Sequence, residues 1–325
     1  MEQEPTQTSR RRRADFGRLS TWRPFADDRG GDDGHPPRTA FVLSGGGNQG
    51  VAQVGMLRAV LEHGITPDVV VGTSAGALNG AAIAYSPNLT GVAQLEAVWT
   101  SLTAAEVFPG SRLSRAWNVL RRETHLFDAT GMDALVDRAT PARSFADLAV
   151  PLRVIATDLD TGEEVVFARG PLKPALLASA ALPGVFPIVE HDGRRLVDGG
   201  VVNSVPLWHA LSGPVDRVYV FNVSAGTADR EERSVLDVVM TSFMHSRSQR
   251  FELEMRHVRP DVQVVVLTRP PDTRELFDFS GGQALIDEAH RLARNELDTL
   301  AATTSADRRP RRRFWRPGAT ETVAG

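Results

Sequence analysis

Val69-Val70-Val71-Gly72-Thr73-Ser74-Ala75-Gly76-Ala77-Leu78-Asn79-Gly80 passes from a short β-branched run through two glycines into an alanine-rich stretch that reaches Tyr85. The valines read as a strand buried on both faces, and Ala75 to Tyr85 as a helix. Between them Gly72-Thr73-Ser74-Ala75-Gly76 satisfies G-x-S-x-G, the turn on which a serine nucleophile stands between strand and helix. Ser74 is therefore the first candidate nucleophile, with Gly72 and Gly76 giving its backbone room. The competing reading is a glycine-rich loop carrying a solvated serine, and the flanking strand and helix weigh against it.

The same organisation occurs one unit upstream. Ala40 to Leu43 reads as a strand, Ser44-Gly45-Gly46-Gly47-Asn48-Gln49-Gly50 as a turn, and Val51 to His63 as a helix. Gly45-x-Gly47-x-x-Gly50 also fits a dinucleotide fingerprint, which needs an acidic residue about twenty positions on, at the end of the second strand. Glu62 and Asp68 lie nearby, but the second strand ends in the serine turn, so no cofactor is expected. Consecutive glycines beside a helix start suit an oxyanion hole, because bare N–H groups can converge on one developing charge. Gly45, Gly46 and Gly47 are the expected donors, supported by Gly50.

The serine needs a base. Leu196-Val197-Asp198-Gly199-Gly200 ends an apolar run in an aspartate followed by two glycines, which places Asp198 at a strand end; an ordinary Asp-Gly turn is the plainer alternative. Histidine competes, since His209 and His290 both follow Asp198 and the order Ser, acid, His is that of α/β-hydrolases. Both stand in apparent helices, where histidine is more often solvated or satisfied structurally, and His191 lies in an unremarkable turn.

Taken in order, these blocks resemble the patatin-like phospholipase family, which combines a GGGxRG-type oxyanion loop, a GxSxG elbow and a DGG or DGA aspartate. Ala156 to Gly162 and Ala178-Ser179-Ala180-Ala181-Leu182-Pro183-Gly184-Val185-Phe186-Pro187 are similar to two further blocks of that family. The resemblance runs from about Arg38 to Val223. It implies a Ser74–Asp198 dyad without a catalytic histidine, acting on lipid esters of the phospholipid or lysophospholipid class. One position departs from the pattern: Gln49 stands where the family usually has arginine, and a neutral amide replaces a fixed cationic fork. That bears on support of the loop and on rate rather than on the backbone donors.

Strands are expected at Leu152 to Thr157, Glu164 to Ala168, Arg217 to Val223 and Val262 to Thr268. Helices are expected at Met132 to Arg138, Leu172 to Ala180, Val235 to Arg256 and Ala284 to Ala301. Alternation of this kind predicts an α/β fold, a three-layer α/β/α sandwich with a mainly parallel central sheet, and a hairpin across Asp160-Thr161-Gly162. Asp158 and Asp160 lack the remaining ligands of a calcium loop and read as loop structure, so no metal is expected. Leu182 to Pro187 is an apolar edge that either contacts an acyl chain or packs in the core.

The chain has 325 residues, no cysteine, a formal charge of -3 and Lys173 as its sole lysine. Lack of cysteine excludes disulfides, a thiol nucleophile and thiolate metal sites. No run approaches the ~18 apolar residues of a membrane span, and no secretory leader is evident, which makes the cytoplasm the default expectation. The domain reading is a disordered segment over 1–37, a hydrolase domain over 38–302 with its motifs in 38–223, and a basic disordered tail over 303–325. Residues 108–128 are amphipathic and basic, readable as a lid at a lipid surface or as a solvated helix. Arg308, Arg309, Arg311, Arg312, Arg313 and Arg316 flank Phe314 and Trp315, a composition suited to peripheral contact with an anionic membrane; no nucleic-acid partner is expected. The expected function is a lipid acyl hydrolase. The alternatives are a carboxylesterase with a Ser-His-Asp triad and an inactive lipid-binding protein.

Overall fold

The computed structural model describes residues 38–109, 124–224, 250–272, 274 and 278–307. Five strands of its sheet run parallel: β1 (Thr39–Leu43), β2 (Val69–Thr73), β3 (Leu152–Asp158), β7 (Arg217–Asn222) and β8 (Gln263–Thr268). β4 (Glu164–Phe167) and β6 (Arg194–Asp198) pair antiparallel with β3, and β5 (Val189–His191) pairs with β6. The order is β5-β6-β3-β2-β1-β7-β8, with β4 joined to β3.

The strands carry apolar residues on both faces, which is why their sequences lack polar alternation. Phe41, Leu43, Val70, Leu152, Val154, Phe221 and Leu267 face one core. Their strand neighbours Ala40, Val42, Val71, Ile155, Val218 and Val220 face another. The period of two thus splits each strand between two helical layers. On the first side lie α1 (Val51–Glu62), α2 (Ala75–Tyr85), α3 (Leu89–Ser101) and α8 (Gly282–Asp307). α4 (Ala104–Val107), α5 (Thr130–Ala139) and α6 (Leu172–Ser179) add Val107, Met132, Leu135 and Leu176 to the same core. On the second side are α7 (Leu207–Leu211) and helical residues 250–255. The result is the expected α/β/α sandwich.

Pairing along β3 brings two distant segments together. Val154 and Ile155 pair with both β2 and β4, whereas Ala156 pairs with both β4 and β6. A strand has only two edges, so β2 and β6 must share the one opposite β4, meeting end to end. Thr73 stands on the rung of Ile155 and Asp198 on the next, that of Ala156. The register alone therefore carries the end of β2 to the end of β6.

Some elements differ from the sequence expectation. β5 and β6 form a tight hairpin through Asp192 and Gly193, with φ of 49° and 73°, the handedness that two-residue hairpin turns need. α3 was unanticipated, although Asn88 caps it by accepting from the N–H groups of Thr90 (2.9 Å) and Gly91 (3.2 Å). α8 continues to Asp307, beyond the expected end at Ala301 and into the segment read as a tail. Residues 1–37, most of the stretch 108–128, residues 225–249 with the first part (235–249) of the expected long helix, and the arginines after Asp307 lie outside the described residues. Among the described residues no helix is long and apolar enough to cross a membrane.

Candidate active site

Ser74 closes β2 and caps α2 with φ 56° and ψ -126°, a conformation that side chains disfavour by about 1–3 kcal/mol. Packing enforces it. A Cβ on Gly72 would lie 2.4 Å from the Gly76 carbonyl oxygen, and one on Gly76 would lie 2.3 Å from that of Leu43. The motif glycines are thus places where two backbones touch. The Ser74 N–H donates to Ser179 Oγ (2.9 Å), whose hydroxyl donates to the Ile155 carbonyl (2.6 Å).

Ser74 Oγ donates to Asp198 Oδ2 at 2.6 Å, the short range of a hydroxyl bonded to a carboxylate. Asp198 is 2% exposed, and its Oδ1 accepts from the Gly200 N–H at 2.7 Å. Its backbone is fixed as well: the N–H donates to the Ala181 carbonyl (2.9 Å), and Thr157 Oγ1 donates to its carbonyl (3.1 Å). Gly199 follows with no room for a side chain, since a Cβ there would meet the Ile155 oxygen at 2.2 Å. Aspartate, turn and serine are held by two successive rungs of the sheet.

The glycine loop leaves β1 on the same edge. Gly45 departs from expectation: its N–H donates to the Ser204 carbonyl at 2.9 Å and is not available to an oxyanion. Gly46 and Gly47 line the cavity at Ser74, and their N–H groups donate to no acceptor among the described residues. Gly47 has φ 57°, a left-handed conformation suited to glycine, and it opens the 3-10 turn Gly47–Gly50 that leads into α1. A buried polar chain braces this loop. Gln53 donates to the carbonyls of Ser44 (2.9 Å) and Phe221 (3.0 Å), Asn79 donates to Gly50 O (2.9 Å) and Gln53 Oε1 (2.8 Å), and Trp99 Nε1 donates to Asn79 Oδ1 (2.8 Å).

From Ser74 and Asp198 a cavity of about 90 Å³ extends between Leu78, Trp99, Phe108, Met132, Phe186 and Phe279. Leu182 and Phe186 of the apolar edge line it, and Phe108 stacks on Phe186 with ring centroids 5.4 Å apart. Among the described residues that line it, Asp198 carries the only charged side chain and there is no histidine. His209 bonds Glu164 at 2.6 Å, and His290 bonds Glu62 at 2.7 Å. Burial pushes the Glu164 carboxyl up, but the His209 bond and the nearby His209 and Arg250 charges outweigh it and hold the group below its ordinary range. Asp158 caps its own turn, accepting from the N–H groups of Asp160 (3.0 Å) and Thr161 (3.3 Å). No group of three potential metal ligands occurs among the described residues.

In sequence Ser179 is marked only by being a polar residue amid alanines, between Ala178 and Ala180. Phe279 and Trp99 gave none, because their roles depend on chain segments brought together by folding.

Residues 41–211 match the family model described as patatin-like phospholipase. The chain belongs to the patatin-like phospholipase family. An uncharacterized NTE family protein of Mycobacterium bovis is 32% identical over 220 residues, covering 67% of this chain and 58% of that protein. Patatin-like phospholipase domain-containing protein 7 of Rattus norvegicus is 32% identical over 169 residues, or 51% of this chain and 12% of that protein. VipD from Legionella pneumophila aligns with a TM-score of 0.49 at 15% identity, over 81% of this chain and 67% of that one. The chain thus spans less than two thirds of the curated relatives named here.

Proposed function

We propose that this patatin-like chain is a serine hydrolase cleaving the carboxylic ester of a phospholipid or lysophospholipid with a Ser74–Asp198 dyad. The observation that carries the reading is the 2.6 Å Ser74–Asp198 hydrogen bond at the mouth of an apolar cavity, beside the N–H groups of Gly46 and Gly47. As Ser74 Oγ attacks the ester carbonyl, its proton passes to Asp198, and the carbonyl oxygen becomes an oxyanion held by the two glycine N–H groups. Collapse breaks the ester C–O bond, and protonated Asp198 returns the proton to the departing alkoxide. Water then attacks the acyl-serine, giving its proton to Asp198, and a second collapse breaks the acyl–Oγ bond as Asp198 returns that proton to Oγ, freeing the fatty acid and restoring Ser74. Each oxyanion donor of this kind is worth about 3–4 kcal/mol in the transition state.

The apolar lining favours an acyl chain in the cavity, with the phosphate-bearing part of the lipid outside. Contact of the arginine-rich tail with an anionic membrane belongs to the same proposal and rests on composition. Fatty acid release from phosphatidylcholine and lysophosphatidylcholine dispersions tests the reading. Wild-type protein is expected to release fatty acid from at least one of them, and Ser74→Ala from neither. Release by the variant at the wild-type rate, or none by the wild type, would overturn it.

A further inference from the structure

The register of β2 on β3 ends with Thr73 beside Ile155, and the chain then leaves the sheet at Ser74 with φ 56°. One hydroxyl spans the gap that this departure opens. Ser179 Oγ accepts from the Ser74 N–H at 2.9 Å and donates to the Ile155 carbonyl at 2.6 Å. It thus stands where a continuing strand would make its next ladder bond, while the backbone is free to bend away. Ser179 is the last residue of α6 and is fully buried. Two residues on, the Ala181 carbonyl accepts from the Asp198 N–H at 2.9 Å. The end of α6 therefore reaches both Ser74 and Asp198, the first through a side chain and the second through backbone. Ala180 and Leu182 of the same segment line the cavity.

Of the two links, only the one to Ser74 depends on which side chain is present. Glycine packing around the turn excludes atoms, whereas a hydrogen bond also sets the direction in which a peptide N–H points. We propose that Ser179 is a positioning residue whose hydroxyl holds the Ser74 peptide in its positive-φ turn and so keeps Ser74 Oγ on Asp198. This rests on the dyad reading above. Without the hydroxyl, the Ser74 N–H loses its acceptor and the strained turn loses a restraint. A nucleophile displaced by a fraction of an ångström slows the chemical step without weakening ground-state binding. A hydroxyl that served folding alone would lower the thermal midpoint and leave turnover of the folded protein unchanged.

The test is steady-state hydrolysis of p-nitrophenyl butyrate, with thermal midpoints, by the full chain and by Ser179→Ala, Ser179→Thr, Ser179→Val and Ser74→Ala. Threonine and valine have the same shape and differ by the hydroxyl, so comparing them cancels the crowding that both introduce. We expect kcat of Ser179→Ala to fall about ten- to a hundredfold with KM within about twofold, and Ser179→Thr to turn over at least about tenfold faster than Ser179→Val. Should Ser179→Ala not fold, the threonine and valine pair decides. Unchanged kcat in a folded Ser179→Ala protein, a loss carried by KM, or equal kcat in folded Ser179→Thr and Ser179→Val would overturn the proposal. Failure of all three to fold would assign Ser179 to folding and overturn it as well. Wild-type activity that survives Ser74→Ala would instead overturn the dyad, and this inference with it.

Discussion

Ser74 keeps a conformation that costs it stability in a turn packed backbone to backbone, where a Cβ on Gly76 would meet the carbonyls of Leu43 and Ser44. The strain aims Oγ at a carboxylate fixed independently, through the bonds of Asp198 to Ala181, Thr157 and Gly200. With Asp198 as base, Asp198→Asn should lower kcat on a soluble p-nitrophenyl ester by about 10²–10⁴-fold, the range for losing a general base. His209→Ala and His290→Ala should stay within about threefold of wild type, since both rings are bonded to carboxylates away from the cavity. An inactive but folded His209→Ala beside an active Asp198→Asn would transfer the base to histidine. At this scale the sequence was largely readable. Ser74 and Asp198 announce themselves because a tight turn needs glycine. Gly45 does not separate from Gly46 and Gly47 in sequence, since only the fold shows that Ser204 takes its N–H.

At the scale of elements, the closest approach is between α1 and α8. A Cβ on Gly55 would lie 2.0 Å from the Ile286 carbonyl oxygen and 2.7 Å from the His290 nitrogen, so the helices touch through backbone. Gly55→Ala must push α8 outward, and overpacking of this kind costs about 1–3 kcal/mol. The expected result is a thermal midpoint lower by roughly 2–4 °C per kcal/mol lost. Gly213→Ala is the control: its nearest neighbour is 3.8 Å away, and it should stay within about 0.5 kcal/mol of wild type. Equal midpoints for the two variants would contradict the close-packing account. Strands buried on both faces were legible from their unbroken apolar runs. α3 and β5 were not, because α3 is specified by its cap and by packing, and β5 has only Val189–His191 to show.

Across the whole molecule, the site joins segments that lie far apart in the chain: Gly46 and Gly47 after β1, Ser74 after β2, Asp198 after β6, and Phe279 before α8. The meeting of β2 and β6 on one edge of β3 brings Ser74 to Asp198, and nothing local in either strand encodes it. Motif order gave the residues, whereas register gave their contact. The cavity was less legible still, since Trp99, Phe108 and Phe279 converge only after the helices pack. The most direct measurement is the intact mass of the protein after reaction with a fluorophosphonate, followed by peptide mapping, for wild type, Ser74→Ala and Asp198→Asn. The account predicts a single adduct on Ser74 in the wild type, none in Ser74→Ala, and labelling slowed by about 10²-fold or more in Asp198→Asn. An adduct on another serine, or labelling of Asp198→Asn at the wild-type rate, would contradict it.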